Sequence, residues 1–219
     1  MSSKLKAVVF DFDGVILESA GVKTDAFCAL YESYGPSVVE KVLAHHLANL
    51  GVSRFKKFEW IANNILDKPL AKEESVALGE RFSALALERV IAAPFVRGAD
   101  AALAALAPRL PLMVASGTPQ DELDHIVDAR GLRKFFCEVH GTPREKPVIL
   151  RAIMAERRLA PSEVLFVGDG LTDHSAARAT DVAFLARDTA ELHDEWVKLA
   201  ARRVADLQEL PEIVETWTS

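Results

Sequence analysis

The chain has 219 residues, half of them hydrophobic and about a quarter charged, which allows one sizeable core with or without a smaller insert and excludes disorder as the main state. Its formal net charge is −6, and its basic residues come only in pairs such as Lys56-Lys57, Arg157-Arg158 and Arg202-Arg203, so no nucleic acid is expected as a partner. Two cysteines, Cys28 and Cys137, are too few for a disulfide framework and are expected to be buried free thiols, and no apolar stretch approaches the roughly 18 residues that a membrane span needs.

The chain starts MSSKLKAVVFDFDG, and Asp11 and Asp13 interrupt its apolar run at once. A secretory leader does not allow that, so a cytoplasmic location is expected. Residues 5–10 (LKAVVF) read as a buried strand that delivers Asp11 at its C-terminal end. Residues 17–92 carry no convincing strand. Ala26, Phe27, Leu30, Tyr31 and Tyr34 recur there at helical spacing, and residues 36–50, 54–66 and 72–92 also read as helices, punctuated by Gly35-Pro36 and Lys68-Pro69. The sheet resumes near Phe95. A helix over 98–107 leads to a strand at 111–116 (PLMVAS), and Pro119 opens a helix over 119–130. KFFCEVH (134–140) reads as a third strand, 145–158 as a helix and EVLFVGD (163–169) as a fourth strand. Residues 172–179 follow as a helix capped by Thr172, then DVAFLA (181–186) as a fifth strand. Apolar strands alternating with helices predict an α/β fold, a doubly wound parallel sheet with an inserted all-helical segment.

In such a sheet, ligands bind beyond the carboxyl ends of the strands. The first strand delivers Asp11 and Asp13 there, the second Ser116, Gly117 and Thr118, the segment after the third Lys146, and the fourth Asp169 and Asp173. Several carboxylates sharing a pocket oppose one another's ionisation. A hard divalent cation with oxygen ligands resolves that, and Mg²⁺ suits a site with few carboxylates. Ser116, the Gly117 N–H and Lys146 offer donors and positive charge suited to phosphoryl oxygens. A carboxylate can then attack phosphorus as a covalent nucleophile. Each motif alone has a structural explanation as a turn or a cap; their joint occurrence, in order and at strand ends, favours a site.

With Asp11-Phe12-Asp13-Gly14-Val15, Ser116, Lys146 in REKP and Gly168-Asp169-Gly170-Leu171-Thr172-Asp173 in place, the chain resembles the haloacid dehalogenase-like hydrolase superfamily, in its phosphatase branch with a helical cap. PFVRGADAAL (94–103) resembles that family's return into the core, and the likeness runs over essentially the whole chain. The resemblance implies a Rossmann-like core domain at 1–16 and 93–219 and a cap domain at 17–92. It implies a phosphatase acting on a small phosphorylated metabolite, with Asp11 as nucleophile and Asp13 as general acid and base. Mg²⁺ would be held by Asp11, the Asp13 carbonyl and Asp169, with Asp173 beside it. Ser116 and Lys146 would grip the phosphoryl group. An acid at Asp13 favours phosphoryl transfer over dehalogenation.

Gly51-Val52-Ser53-Arg54 resembles a cap segment that, in β-phosphoglucomutase-like members, sets an arginine on the substrate's second phosphate. Arg54 either does so here or lies on the surface. Lys23 replaces the histidine those mutases usually carry, and is read as a solvated lysine or one that faces the pocket. Mutase activity is therefore the alternative, beside a phosphonate C–P hydrolase that would need a cap lysine; Lys41, Lys56 and Lys57 are available, with none placed in the pocket. His45 and His46 are expected at the surface or partly buried. His140 is read as mainly structural, and His174 as able to touch the edge of the site. Trp60, Trp196 and Trp217 are read as packing residues, Trp60 alone being within reach of substrate.

Overall fold

A computed structural model describes residues 5–217; the basic start of the chain at residues 1–4 lies outside the described residues. Six parallel strands form one sheet in the order β3-β2-β1-β4-β5-β6. They are β1 (Ala7–Phe10), β2 (Leu112–Pro119), β3 (Glu138–Thr142), β4 (Val164–Gly168), β5 (Ala183–Arg187) and β6 (Arg203–Val204). The apolar runs earn their burial by feeding both faces in alternation. Val8 and Phe10 enter one cluster, with Leu112, Val114, Leu165 and Val167. Ala7 and Val9 enter the other, with Met113, Ala115, Val164 and Phe166. Side chains of successive strand residues point to opposite faces, so only a sheet covered on both sides can hide such a run.

Helices α5 (Ala99–Leu106) and α6 (Gln120–Ala129) and the C-terminal helix Leu210–Thr216 cover the first face through Leu103, Leu106, Leu123, Ile126 and Leu210. Helices α7 (Lys146–Arg157) and α8 (Leu171–Arg178) cover the second through Ile149, Leu150, Ile153, Ala176 and Ala177. Between β1 and β2 the chain forms α1 (Ala20–Tyr31), α2 (Pro36–Ala48), α3 (Arg54–Asn64) and α4 (Lys72–Ala92), with no strand of the sheet among them. Phe27, Phe58 and Phe82 meet at the centre of this layer, with Phe27 to Phe82 centroids 4.9 Å apart. The chain leaves and returns along paired segments: the Glu18 N–H donates to Pro94 O at 2.9 Å, and the Val96 N–H to Ile16 O at 3.0 Å.

Several elements differ from expectation. The third strand starts at Glu138, because Arg133–Phe135 close into a 3-10 turn; that turn leads Phe136 into the core, edge-on to Phe10 at 6.3 Å. The second strand runs on to Pro119, which pairs with Thr142 after a register shift. Thr172 does not cap α8: Gly170 holds that position, and the Thr172 hydroxyl donates to Leu50 O at 2.5 Å. Cys137 is exposed and Cys28 half-buried, so neither is the buried thiol expected. Among the described residues, no helix is long and apolar enough to cross a membrane.

Candidate active site

The strand order places β1 between β2 and β4, where successive connections run to opposite sides; ligand crevices of open α/β sheets lie at that position. Asp11 follows β1 directly, and its N–H donates to Val167 O of β4 at 2.8 Å. Asp169 follows β4. Together with Asp173 in the first turn of α8, they bring one carboxylate oxygen each to within 4.8 Å of one another, all buried. Lys146, the first residue of α7, answers part of this charge: its Nζ lies 2.9 Å from Asp11 Oδ2 and 2.5 Å from Asp173 Oδ1. Gly14 makes the packing possible. Its φ of +78° is left-handed, and a Cβ there would sit 2.0 Å from Asp169 Oδ2.

The electrostatics separate the acids. Burial pushes Asp11 up to about 7; the Lys146 charge works against that, and Asp173 and Asp13 add to it. Burial, then Asp11 and Asp173, likewise hold Asp169 well above the ordinary carboxylate range. Burial presses hardest on Asp13 too, but the Lys23 charge and hydrogen bonds from Lys23, Ser19 and Thr118 together outweigh it. Asp13 is therefore held low. Its carboxylate accepts from Ser19 Oγ at 2.7 Å, from Thr118 Oγ1 at 3.1 Å and from Lys23 Nζ. A cluster of three buried, mutually opposing oxygen ligands fits a hard divalent cation, which would relieve the repulsion that raises Asp11 and Asp169.

A cavity of about 50 Å³ opens on these groups. Asp11, Asp13, Asp169, Gly117, Lys23 and Arg54 border it, so most expected site residues meet at one place. Thr118 lies just behind, linked to Ser116 Oγ at 3.2 Å. Ser116 and Lys146 border instead a larger space of about 460 Å³, across the Gly51-Val52-Ser53 segment. That segment descends onto the sheet: a Cβ on Gly117 would meet Gly51 O at 2.4 Å, and one on Gly51 would meet Lys146 Nζ at 2.9 Å.

Of the two readings of Lys23, the structure has the one that faces the pocket and not the solvated one. Its Nζ bridges Asp13 and Thr118 Oγ1, at 2.5 Å from the latter. Arg54 is not on the surface either. It is 5 % exposed and grips Glu122 of α6 with two nitrogens, at 2.5 and 3.0 Å, while Nη1 also donates to Ser83 Oγ at 2.9 Å. Two residues at or beside the site, Ser19 and Glu122, escaped the sequence reading, which also placed neither His46 nor Lys57 in the pocket; the one signal for Lys57 is that it lies one helical turn after Arg54 and so shares its face. Contrary to expectation, His46 is buried and both it and Lys57 border the cavity. Trp60 does not; it stacks on His45 at 3.6 Å. His140 pairs with Glu138 at 2.9 Å, and His174 packs on Phe184 and Trp196.

Residues 5–181 match the family model of the haloacid dehalogenase-like hydrolases. The chain is similar to phosphoglycolate phosphatase of Escherichia coli, 27 % identical over 201 residues, covering 80 % of this chain and 78 % of that protein. It is also similar to phosphoglycolate phosphatase of Chromobacterium violaceum, 26 % identical over 189 residues, covering 83 % and 84 %. Among solved structures, β-phosphoglucomutase of Clostridium difficile superimposes with a TM-score of 0.75 at 16 % identity, covering 94 % of this chain and 93 % of that one. CbbY of Rhodobacter sphaeroides, in complex with phosphate, gives 0.73 at 16 % identity, covering 94 % and 96 %. The fold, the acidic strand ends and the match over most of its length agree: this chain belongs to the haloacid dehalogenase-like hydrolase family.

Proposed function

We propose that the protein is a Mg²⁺-dependent phosphatase of a small phosphomonoester, working through an aspartyl-phosphate on Asp11. The observation that supports this best is the division of labour between two carboxylates on one turn. Asp11 lies within the acidic cluster, while Asp13 stands apart from it among Ser19, Lys23 and Thr118. Asp11 and Asp169 would hold the cation with the Asp13 carbonyl, and Asp173 beside them; when bound, it supplies positive charge to the phosphoryl oxygens and favours the ionised form of Asp11.

The protein's own groups carry the reaction. An Asp11 oxygen attacks phosphorus as the bond to the leaving oxygen breaks, and Asp13, which takes up the proton of a monoanionic phosphoryl group when the ester binds, gives that proton to the leaving oxygen. Asp13, now ionised, takes a proton from a water that attacks the phosphoryl group. Phosphate leaves and Asp11 is restored. Lys146 offsets part of the charge of Asp11 and Asp173, and Ser116 and the Gly117 N–H serve as donors to the phosphoryl oxygens. Lys23 stabilises the ionised form of Asp13, the form that accepts the water's proton.

The similarity to phosphoglycolate phosphatases makes phosphoglycolate the first ester to test. Arg54 is occupied by Glu122, which weighs against a mutase that would need it for a second phosphate. The test is phosphate release from a panel of small phosphomonoesters, with Mg²⁺ and with EDTA, for the wild type and Asp11→Asn. Release that needs the metal and vanishes in the variant is expected. A folded wild type that releases phosphate from no ester would sink the reading.

A further inference from the structure

Lys57 differs from the other cations around the cavity. Lys23 is held by Asp13, Lys146 by Asp11 and Asp173, and Arg54 by Glu122. Lys57 is 3 % exposed and borders the same cavity as Asp11 and Asp169, yet among the described residues it forms no ion pair with a carboxylate. Its Nζ lies 3.1 Å from His46 Nδ1 and 5.2 Å from the centre of the Phe27 ring. The histidine is oriented to accept: its Nε2 lies 3.1 Å from Thr24 Oγ1, and the Thr24 hydroxyl donates to Ala20 O at 3.1 Å. With Nδ1 accepting from Lys57 and Nε2–H donating to Thr24, the relay is consistent with a neutral ring. It engages one N–H of Lys57 and leaves the rest of its donor capacity for the cavity.

A buried cation without a counter-charge is unfavourable, and a ligand anion that supplies the charge is bound with corresponding gain. We propose that Lys57 is a specificity-determining residue that receives a carboxylate carried by the substrate on the same short carbon skeleton as the phosphoryl group. The proposal deepens the phosphatase reading and rests on it. The cavity is narrow on this side, about 50 Å³ and walled by Phe27, Val52 and Phe82, which favours a short carbon skeleton over a sugar bisphosphate.

The charges around Lys57 give the proposal a second signature. Burial, then the charges of Lys23 on α1 and Lys146 on α7, hold its amine down at about 7, with Asp13 pulling the other way. Burial and the charge of Lys57 hold His46 on α2 down at about 3, and His45 beside it is also lowered. Lys57 is thus the member of this group that gains or loses a proton near neutrality, and a bound carboxylate favours its charged form.

The test compares kcat/KM for 2-phosphoglycolate with that for 2-hydroxyethyl phosphate, an ester of the same length with an uncharged tail, in wild type and Lys57→Met. The wild type is expected to prefer the carboxylate ester by about 10-fold to 100-fold, the range of a hydrogen bond to a charged group, and Lys57→Met to lose most of that preference through KM. A second reading needs no variant: between about pH 6 and about pH 9, the wild-type preference is expected to fall as Lys57 loses its proton. Titration of Asp11, which both esters need alike, cancels in the ratio. An unchanged preference in folded Lys57→Met, or one flat with pH, overturns the assignment while the phosphatase reading stands. Hydrolysis of neither these esters nor any other phosphomonoester overturns both.

Discussion

Asp11 and Asp13 are two residues apart, and their surroundings drive them in opposite directions. Asp11 is buried among carboxylates and raised to about 7, while Asp13 is held low by Lys23. A nucleophile that a cation can ionise serves the first step of phosphoryl transfer, and a carboxylate that returns readily to its ionised form serves as base in the second. Replacing Asp13 by Asn keeps the shape and removes the proton acceptor. Turnover is expected to drop by about 10²-fold to 10⁴-fold, the usual worth of general acid–base catalysis, with the fold intact by circular dichroism. Full turnover in Asp13→Asn would mean that another group moves the proton.

At the scale of elements, α3 and α6 are tied by Arg54 and Glu122, whose side chains are 4 % and 10 % exposed. Burial works against the Glu122 charge, but hydrogen bonds from Arg54 and Ser83 and the Arg54 charge keep it low. Removing one partner of a buried pair leaves the other uncompensated, at a cost of about 3 kcal/mol or more. Arg54→Met is therefore expected to lower the melting temperature and raise KM, and Arg54→Met with Glu122→Leu to recover much of the stability. A stable Arg54→Met single variant would contradict this. The tie shows where sequence reading stops. The four polar strand ends were legible because strand periodicity and the rule of carboxyl-end sites fix where Asp11, Ser116, Lys146 and Asp169 must go. Arg54 could be suspected of facing the site, but its partner lies 68 positions along the chain, and no local pattern pairs them. The strand β6 escaped for a related reason: two residues, Arg203 and Val204, hold no period.

For the molecule as a whole, the acidic cluster links stability, pH and metal. Burial raises Asp11 from 3.8 to about 7 and raises Asp169 also, so the folded state without metal holds protons that the unfolded chain releases. That contribution is present in full at acid pH and is lost as pH rises from about 4 through about 7. A bound divalent cation replaces the protons. The melting temperature in EDTA is thus expected to fall between about pH 5 and about pH 8, and Mg²⁺ to raise it more at the higher pH. An equal Mg²⁺ effect at both pH values would place the ion elsewhere. The sheet and the helical layer between β1 and β2 were readable from periodicity alone, since each element repeats its own pattern over many residues. The burial of His46 and Lys57 was not, because it depends on how four helices close over Phe27, Phe58 and Phe82.

The proposed mechanism transfers the phosphoryl group to Asp11 and to no other carboxylate of the cluster. Quenching the protein with borohydride during turnover of a hydrolysed ester reduces an acyl phosphate to an alcohol, so peptide mass spectrometry reads the acceptor directly. Homoserine is expected at position 11, dependent on substrate and on Mg²⁺. Sustained phosphate release with Asp11 unmodified throughout, or homoserine at Asp13, Asp169 or Asp173 instead, would contradict it.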